Sequence, residues 1–86
     1  MNFFVYMLKT TEGFIQKTYV GFTINVNKRL IKHNSNKGAK ATKGYKWKLI
    51  YKRGFLSKSM ALSYEYRLKK NRIKRALILK KYEQKN

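Results

Sequence analysis

An α+β domain is predicted: a small three-stranded antiparallel sheet flanked by three helices, in the order strand, strand, helix, strand, helix, helix. Short runs rich in aromatic and β-branched residues occupy positions 3–8, 18–22 and 47–53. Apolar residues recur at helical spacing in three further stretches, each preceded by a residue suited to capping: Asn25, Ser57 or Asn71. The chain's 86 residues, punctuated by five Gly and no Pro, leave room for one modest core and hence one domain over 1–86.

Each element has a local cause. Residues 3–8 (Phe-Phe-Val-Tyr-Met-Leu) have the composition of a strand buried on both faces. Positions 9–17 are polar, contain Gly13 and read as a loop, so that 18–22 returns as the second arm of an antiparallel hairpin. From Asn25, the residues Val26, Leu30 and Ile31 define a short first helix ending near His33 and Asn34. Segment 34–45, with two Gly and three Lys, reads as a basic, mobile loop before the third strand. Ser57 caps a second helix whose inward stripe is Met60, Ala61, Tyr64 and Leu68, with Glu65 on the edge of that stripe. After Asn71, a third helix turns Ile73, Ala76, Leu77 and Leu79 inward before a frayed tail, 83–86.

Charge narrows the partner. There are 22 Lys and Arg against three acidic residues, a formal charge of +19. Such an imbalance opposes compaction and points to a polyanion, with nucleic acid foremost. The absence of Cys excludes disulfides and thiolate chemistry, and the lone His33 makes a His/Cys zinc site untenable. No apolar run approaches the ~20 residues of a membrane span, and the first residues lack the basic region of a signal peptide. A soluble, intracellular protein is expected, cytoplasmic or nucleoid-associated, with no membrane partner. In so basic a chain, a carboxylate retained mid-helix at Glu65 is a candidate for holding a divalent cation beside a phosphate.

Five residues form a constellation. Phe4-Val5-Tyr6 lies on the first strand and Tyr19-Val20-Gly21 on the second; Arg29 follows Tyr19 by ten residues, His33 follows by four more, and Glu65 lies on the second helix. Together they resemble the GIY-YIG nuclease domain, over about residues 3–80. Within that family the run Tyr19-Val20-Gly21-Phe22-Thr23, with Asn25, Lys28-Arg29 and His33-Asn34, is most similar to the catalytic domain of branched-DNA endonucleases and their small single-domain bacterial relatives. The chain departs from the pattern at Phe4, where the first motif has Gly, and at Phe22, where excision-repair members carry Lys. The resemblance implies a metal-dependent endonuclease acting on DNA, with branched or single-stranded forms preferred.

The chemistry is intelligible in those residue types. Phosphodiester hydrolysis needs an oriented water, a proton acceptor, compensation for charge on phosphorus and stabilisation of the leaving oxygen. Glu65 is assigned one Mg²⁺ or Mn²⁺, a hard cation that keeps waters and phosphate oxygens as its other ligands. Arg29, a planar fork that stays protonated, suits the scissile phosphate. Tyr19 is favoured as the base and Tyr6 as the group orienting the water. His33, one helical turn beyond Arg29, contacts the phosphate or helps the base. Lys37, Lys40, Lys43 and Lys46, with Lys69 and Lys70, supply backbone contacts, and Tyr45 and Trp47 are positioned to stack on an unpaired base.

Plainer readings stand beside these. Glu65 and Lys69 are four apart and can form an ordinary helix ion pair. Tyr6 and Tyr19 can be hairpin aromatics, His33 a partner of the helix dipole, and Gly21 room for close backbone approach. A nucleic-acid-binding module that keeps the fold without cleavage is the rival class, and a structural RNA-binding protein a third. So small an enzyme has little surface for choosing a sequence, so a specificity-conferring protein partner is also expected. Oligomeric state is open.

Overall fold

A computed structural model describes residues 2–13 and 16–85. Its elements are β1 (Phe3–Thr10), β2 (Thr18–Thr23), α1 (Val26–Asn34), a 3₁₀ turn (Lys40–Thr42), β3 (Trp47–Phe55), α2 (Lys58–Lys70) and α3 (Arg72–Lys85). The strands form one antiparallel sheet in the order β2-β1-β3. The expected class and element order are therefore those observed. Part of the loop expected at 9–17, residues 14 and 15, lies outside the described residues, as does residue 86.

β1 is central, which is why its sequence is apolar without alternation: Val5, Tyr6, Met7 and Leu8 are each at most 1% exposed. Pairing divides them between two cores. Val5 and Met7 pack with Val20, Ala61, Tyr64 and Leu68 beneath α2, whereas Tyr6 and Leu8 pack with Val26 and Trp47 on the side of α1. The register sets Tyr6 opposite Gly21 and Leu8 opposite Tyr19, so these side chains share the α1 face.

The helix starts follow the sequence. Asn25 Oδ1 accepts from the Lys28 amide at 3.0 Å, Ser57 Oγ from Met60 at 3.4 Å and Asn71 Oδ1 from Lys74 at 3.0 Å. Inward faces follow it less well. Met60 and Ile31 are exposed, and on α3 so are Ile73, Ala76 and Leu77; Ile78 packs against the core instead. The residue caps break the chain at Asn71, so the angular phase of α3 is set afresh and its short apolar run does not reveal which side meets the sheet. Nor is the tail frayed: Glu83 lies within α3, pairs with Lys9 at 3.3 Å and accepts from Gln16 at 3.2 Å.

The basic segment after α1 is tied down. Asn34 bonds both backbone groups of Trp47, accepting from its amide at 2.6 Å and donating to its carbonyl at 3.0 Å. Asn36 Oδ1 accepts from the Gly44 amide, and the Trp47 indole donates to the Thr42 carbonyl at 3.0 Å. Trp47 is thus buried at 4% exposure, which removes it as a stacking surface for a base. Tyr45 is half-buried beside it, with the Lys17 ammonium over its ring at 4.5 Å.

Candidate active site

Four of the five expected site residues meet on the α1 face of the sheet. Tyr6 projects from β1 and Tyr19 from β2, their ring centroids 6.4 Å apart, and the His33 imidazole of α1 lies 5.9 Å from the first and 5.0 Å from the second. Arg29 lies one turn earlier on the same helix face. Val26, Leu30 and His33 fall at helical spacing, so His33 takes a core-facing place that a sequence reader would assign to an apolar residue. Its burial is complete.

A buried imidazole must have its polar atoms satisfied, and His33 does. Nε2 lies 2.8 Å from the Tyr6 hydroxyl, and Nδ1 lies 2.9 Å from Thr42 Oγ1. The Thr42 hydroxyl donates to the Ala39 carbonyl at 2.8 Å. That donation fixes every proton in the chain. Thr42 has one O–H, already used, so its oxygen accepts from Nδ1–H; Nε2 is then the bare nitrogen, and it accepts from the Tyr6 hydroxyl. Burial, helped by the Arg29 charge, holds His33 below its ordinary pKa of 6.5, which keeps Nε2 unprotonated. Burial likewise pushes the Tyr6 phenol up to about 12, partly opposed by Arg29.

Two glycines make the space. A β-carbon at Gly21 would run into the Tyr6 phenol, and one at Gly38 would run into the His33 ring. Gly21 therefore clears a side chain rather than permitting close backbone approach. At the first motif's altered position, Phe4 finds room because Gly54 is its partner on β3, where a β-carbon would come within 3.3 Å of the ring.

Arg29 supplies the unspent polarity. Its Nε is buried and has no hydrogen-bond partner among the described residues. A groove of about 370 Å³ opens beside it, lined by Thr23, Ile24, Asn25, Lys28, Arg29 and Lys32. Lys28 and Lys32 are thus groove residues that the sequence does not single out by itself; their spacing of four, flanking Arg29, is the available signal. Thr42 and Gly38 were also missed, because nothing periodic links a loop position to the ring that it supports.

Glu65 stands apart on α2, close enough to Tyr6 for its charge to help raise the phenol's pKa. Its side chain is 17% exposed, and the carboxylate lies 3.3 Å from the Lys69 ammonium, the i,i+4 pair that the sequence allows. No three His, Cys, Asp or Glu gather among the described residues. One carboxylate with open coordination suits a hard, water-rich cation and not a closed zinc site. Of the expected DNA contacts, Lys37, Lys40, Lys43, Lys46, Lys69 and Lys70 are all exposed. Lys46 donates to the Asn34 carbonyl and Lys70 rests over the Tyr66 ring at 4.3 Å.

The description "GIY-YIG catalytic domain" belongs to a family model that matches residues 2–83. The chain belongs to this family. It is 43% identical over 67 residues to the UPF0213 protein SERP0126 of Staphylococcus epidermidis, spanning 77% of this chain and 78% of the relative. It is 41% identical over 70 residues to a UPF0213 protein of Streptococcus pneumoniae serotype 4, spanning 80% and 68%. Among solved structures it is similar to the solution NMR structure of the UPF0213 protein BH0048 from Bacillus halodurans. There the TM-score is 0.52 at 36% identity, covering 93% of this chain and 84% of that one. Membership in GIY-YIG supports an endonuclease-type activity, with DNA as the partner such a domain implies. Among the described residues, no helix is long and apolar enough to cross a membrane.

Proposed function

We propose that this GIY-YIG domain is a metal-dependent endonuclease that hydrolyses DNA phosphodiester bonds on its α1 face. One observation carries the reading: a Tyr6 hydroxyl already donating to a neutral, buried His33, beside a buried Arg29 Nε with a donor to spare. Arg29, with Lys28 and Lys32, binds the scissile phosphate from the groove, its free Nε–H meeting a phosphate oxygen. A water beside the phosphate passes a proton to the Tyr6 oxygen as the phenol's own proton moves to His33 Nε2. Its oxygen bonds to phosphorus, the bond to the leaving oxygen breaks, and solvent protonates that oxygen. Thr42 accepts from Nδ1 throughout and holds the ring in register. A divalent cation on Glu65, Mg²⁺ or Mn²⁺, would supply charge neutralisation at the phosphate and the leaving oxygen.

This order departs from the expectation that Tyr19 is the base. A phenol with a pKa near 10 needs somewhere to send its proton. Tyr6 has that acceptor in His33, whereas no hydrogen bond of the Tyr19 hydroxyl occurs among the described residues. Tyr19, packed on the imidazole, becomes the group that orients the water and shields the ring.

The test is cleavage of labelled duplex, single-stranded and forked DNA with Mg²⁺, Mn²⁺ or chelator, with Glu65→Gln in parallel. Cutting that needs metal and is lost in the variant is the expected result; cutting in chelator, or full activity in the variant, rejects the mechanism. A binding-only module has the Glu65–Lys69 pair in its favour, since that contact gives the carboxylate a purely structural use. DNA binding without cleavage under any metal would establish it.

A further inference from the structure

The opposite face of the sheet carries a second basic cleft. Register places Arg53 opposite Val5 and Tyr51 opposite Met7, on the α2 and α3 side, whereas Tyr6 points to α1. There a cleft of about 610 Å³ is lined by Arg53 and Phe55 at the end of β3, Tyr64 and Arg67 on α2, and Asn71 and Lys74 at the start of α3. The ion pairs among the described residues are Lys9–Glu83 and Glu65–Lys69, so none of these three cations is neutralised. On α2, Glu65 and Arg67 are two residues apart, about 200° of rotation at 3.6 residues per turn, and so flank the core stripe on nearly opposite sides.

Two of the cations, Arg53 and Lys74, are also held in place. The Arg53 guanidinium lies 5.1 Å from the Phe55 ring centre and 4.9 Å from that of Tyr64, and the Lys74 ammonium lies 5.1 Å from the Tyr64 ring. Tyr64 exchanges a 2.8 Å hydrogen bond with Tyr51. Burial pushes its phenol up, yet hydrogen bonds with Tyr51, Lys74 and Arg53 and the Lys74 charge hold it below the usual range. Arg67 and Asn71 line a second groove as well, which continues past Lys70 and Arg72. A basic track that runs on through a shared wall suits a polymer of phosphates better than a single small anion.

We propose that this cleft is a second phosphodiester-binding site, which takes the backbone of a DNA segment other than the one lying against Arg29. The domain is 22 Å across its shortest axis, and the two basic sites lie on opposite faces of the sheet, so one straight duplex cannot serve both. Two arms of a branched or folded DNA can. The proposal deepens the nuclease reading and rests on its choice of DNA as ligand, but its test reads binding alone.

The experiment compares a labelled four-armed DNA with a single duplex of one arm's length, by anisotropy in chelator across a range of salt. Arg67→Ala/Lys74→Ala should weaken the branched ligand about tenfold and the single duplex less than twofold. It should also reduce the salt slope for the branched DNA by roughly two, near 0.9 for each lost phosphate contact. Both side chains are exposed, so the fold should survive, and Arg67→Lys/Lys74→Arg should restore binding. A control of equal charge, Lys80→Ala/Lys81→Ala, should affect both ligands alike. Equal losses on both ligands, or a control that matches the cleft variant, would overturn the proposal. So would inorganic phosphate alone shifting the amide resonances of 59–74 while neither DNA does, which would make this a small-anion pocket. Failure to cleave bears only on the nuclease reading.

Discussion

Gly38 lies so close to the imidazole of His33 that a β-carbon there would overlap Nδ1 and approach Cγ and Cε1 to 3.0 Å. The ring cannot retreat, because hydrogen bonds hold it at both nitrogens. Gly38→Ala should therefore cost about 1–3 kcal/mol, as overpacking does in a filled core. The fall in Tm should be roughly 4–8 °C for each kcal/mol, read by thermal denaturation. An unshifted melting curve would mean that the loop can move off the ring.

Thr42 should matter through its hydroxyl rather than its shape. Thr42→Val leaves His33 Nδ1–H buried without an acceptor, a loss of about 1–3 kcal/mol, while Thr42→Ser keeps the bond and should be far milder. Nitrogen chemical shifts of the imidazole should report the Nδ1–H tautomer in the parent and in Thr42→Ser. An Nε2–H signal in the parent would reverse the assigned proton order.

The two tyrosines should separate. Tyr6→Phe removes the hydroxyl that donates to His33 and should lower single-turnover cleavage by about 10²–10⁴-fold, the range for general acid–base groups. Tyr19→Phe keeps the relay and should lose much less. The reverse ranking would return the base to Tyr19.

Titration of the relay sets limits on both sides of neutrality. The unfolded His titrates near 6.5 and buried His33 lower, so between the two the unfolded chain binds more protons; stability is retained above pH 6.5 and lost as pH falls through that window. Cleavage should show an acid limb in the same window, since protonated Nε2 cannot accept from Tyr6. At the other end, the unfolded phenol ionises near 10 and Tyr6 only near 12, so stability is full below pH 10 and falls above it. By pH 12 that loss should approach roughly 2–3 kcal/mol. Chemical denaturation as a function of pH checks both limbs.

Lys69 should compete with any cation for Glu65. A half-exposed i,i+4 pair is worth about 0.3–0.5 kcal/mol, so Lys69→Met should tighten Mn²⁺ binding by roughly twofold in calorimetry and leave the melting temperature nearly unchanged. Glu65→Gln should abolish the heat of binding. Retained Mn²⁺ binding in that variant would move the metal elsewhere.

How far the sequence reached can be argued from particular residues. The strands and the caps at Asn25, Ser57 and Asn71 were legible because each depends on neighbours in the chain. The gathering of Tyr6, Tyr19, Arg29 and His33 was legible only as a joint spacing, since singly each reads as packing or surface. Thr42, Gly38 and the Arg53 cleft were not legible, because contacts across a loop or between the ends of three elements leave no period behind. Ile73 and Leu77 misled for a related reason: an apolar residue on a short terminal helix marks an inside only if the neighbouring surface extends far enough to cover it, and here it does not.

β1 has no side chain to spare. Its odd residues hold α2 to the sheet and its even residues pack on the α1 side, where Tyr6 meets His33, with nothing between them facing water over 5–8. A pairing slip of one residue would put Met7 where Tyr6 meets His33 and at the same moment place a phenol in the larger core. A misregistered chain would thus lose the packing of the larger core together with the Tyr6–His33 contact, so no well-folded alternative register competes with the native one. Viable sequence drift in this domain should accordingly collect in α3 and the loops, while the middle strand stays almost fixed.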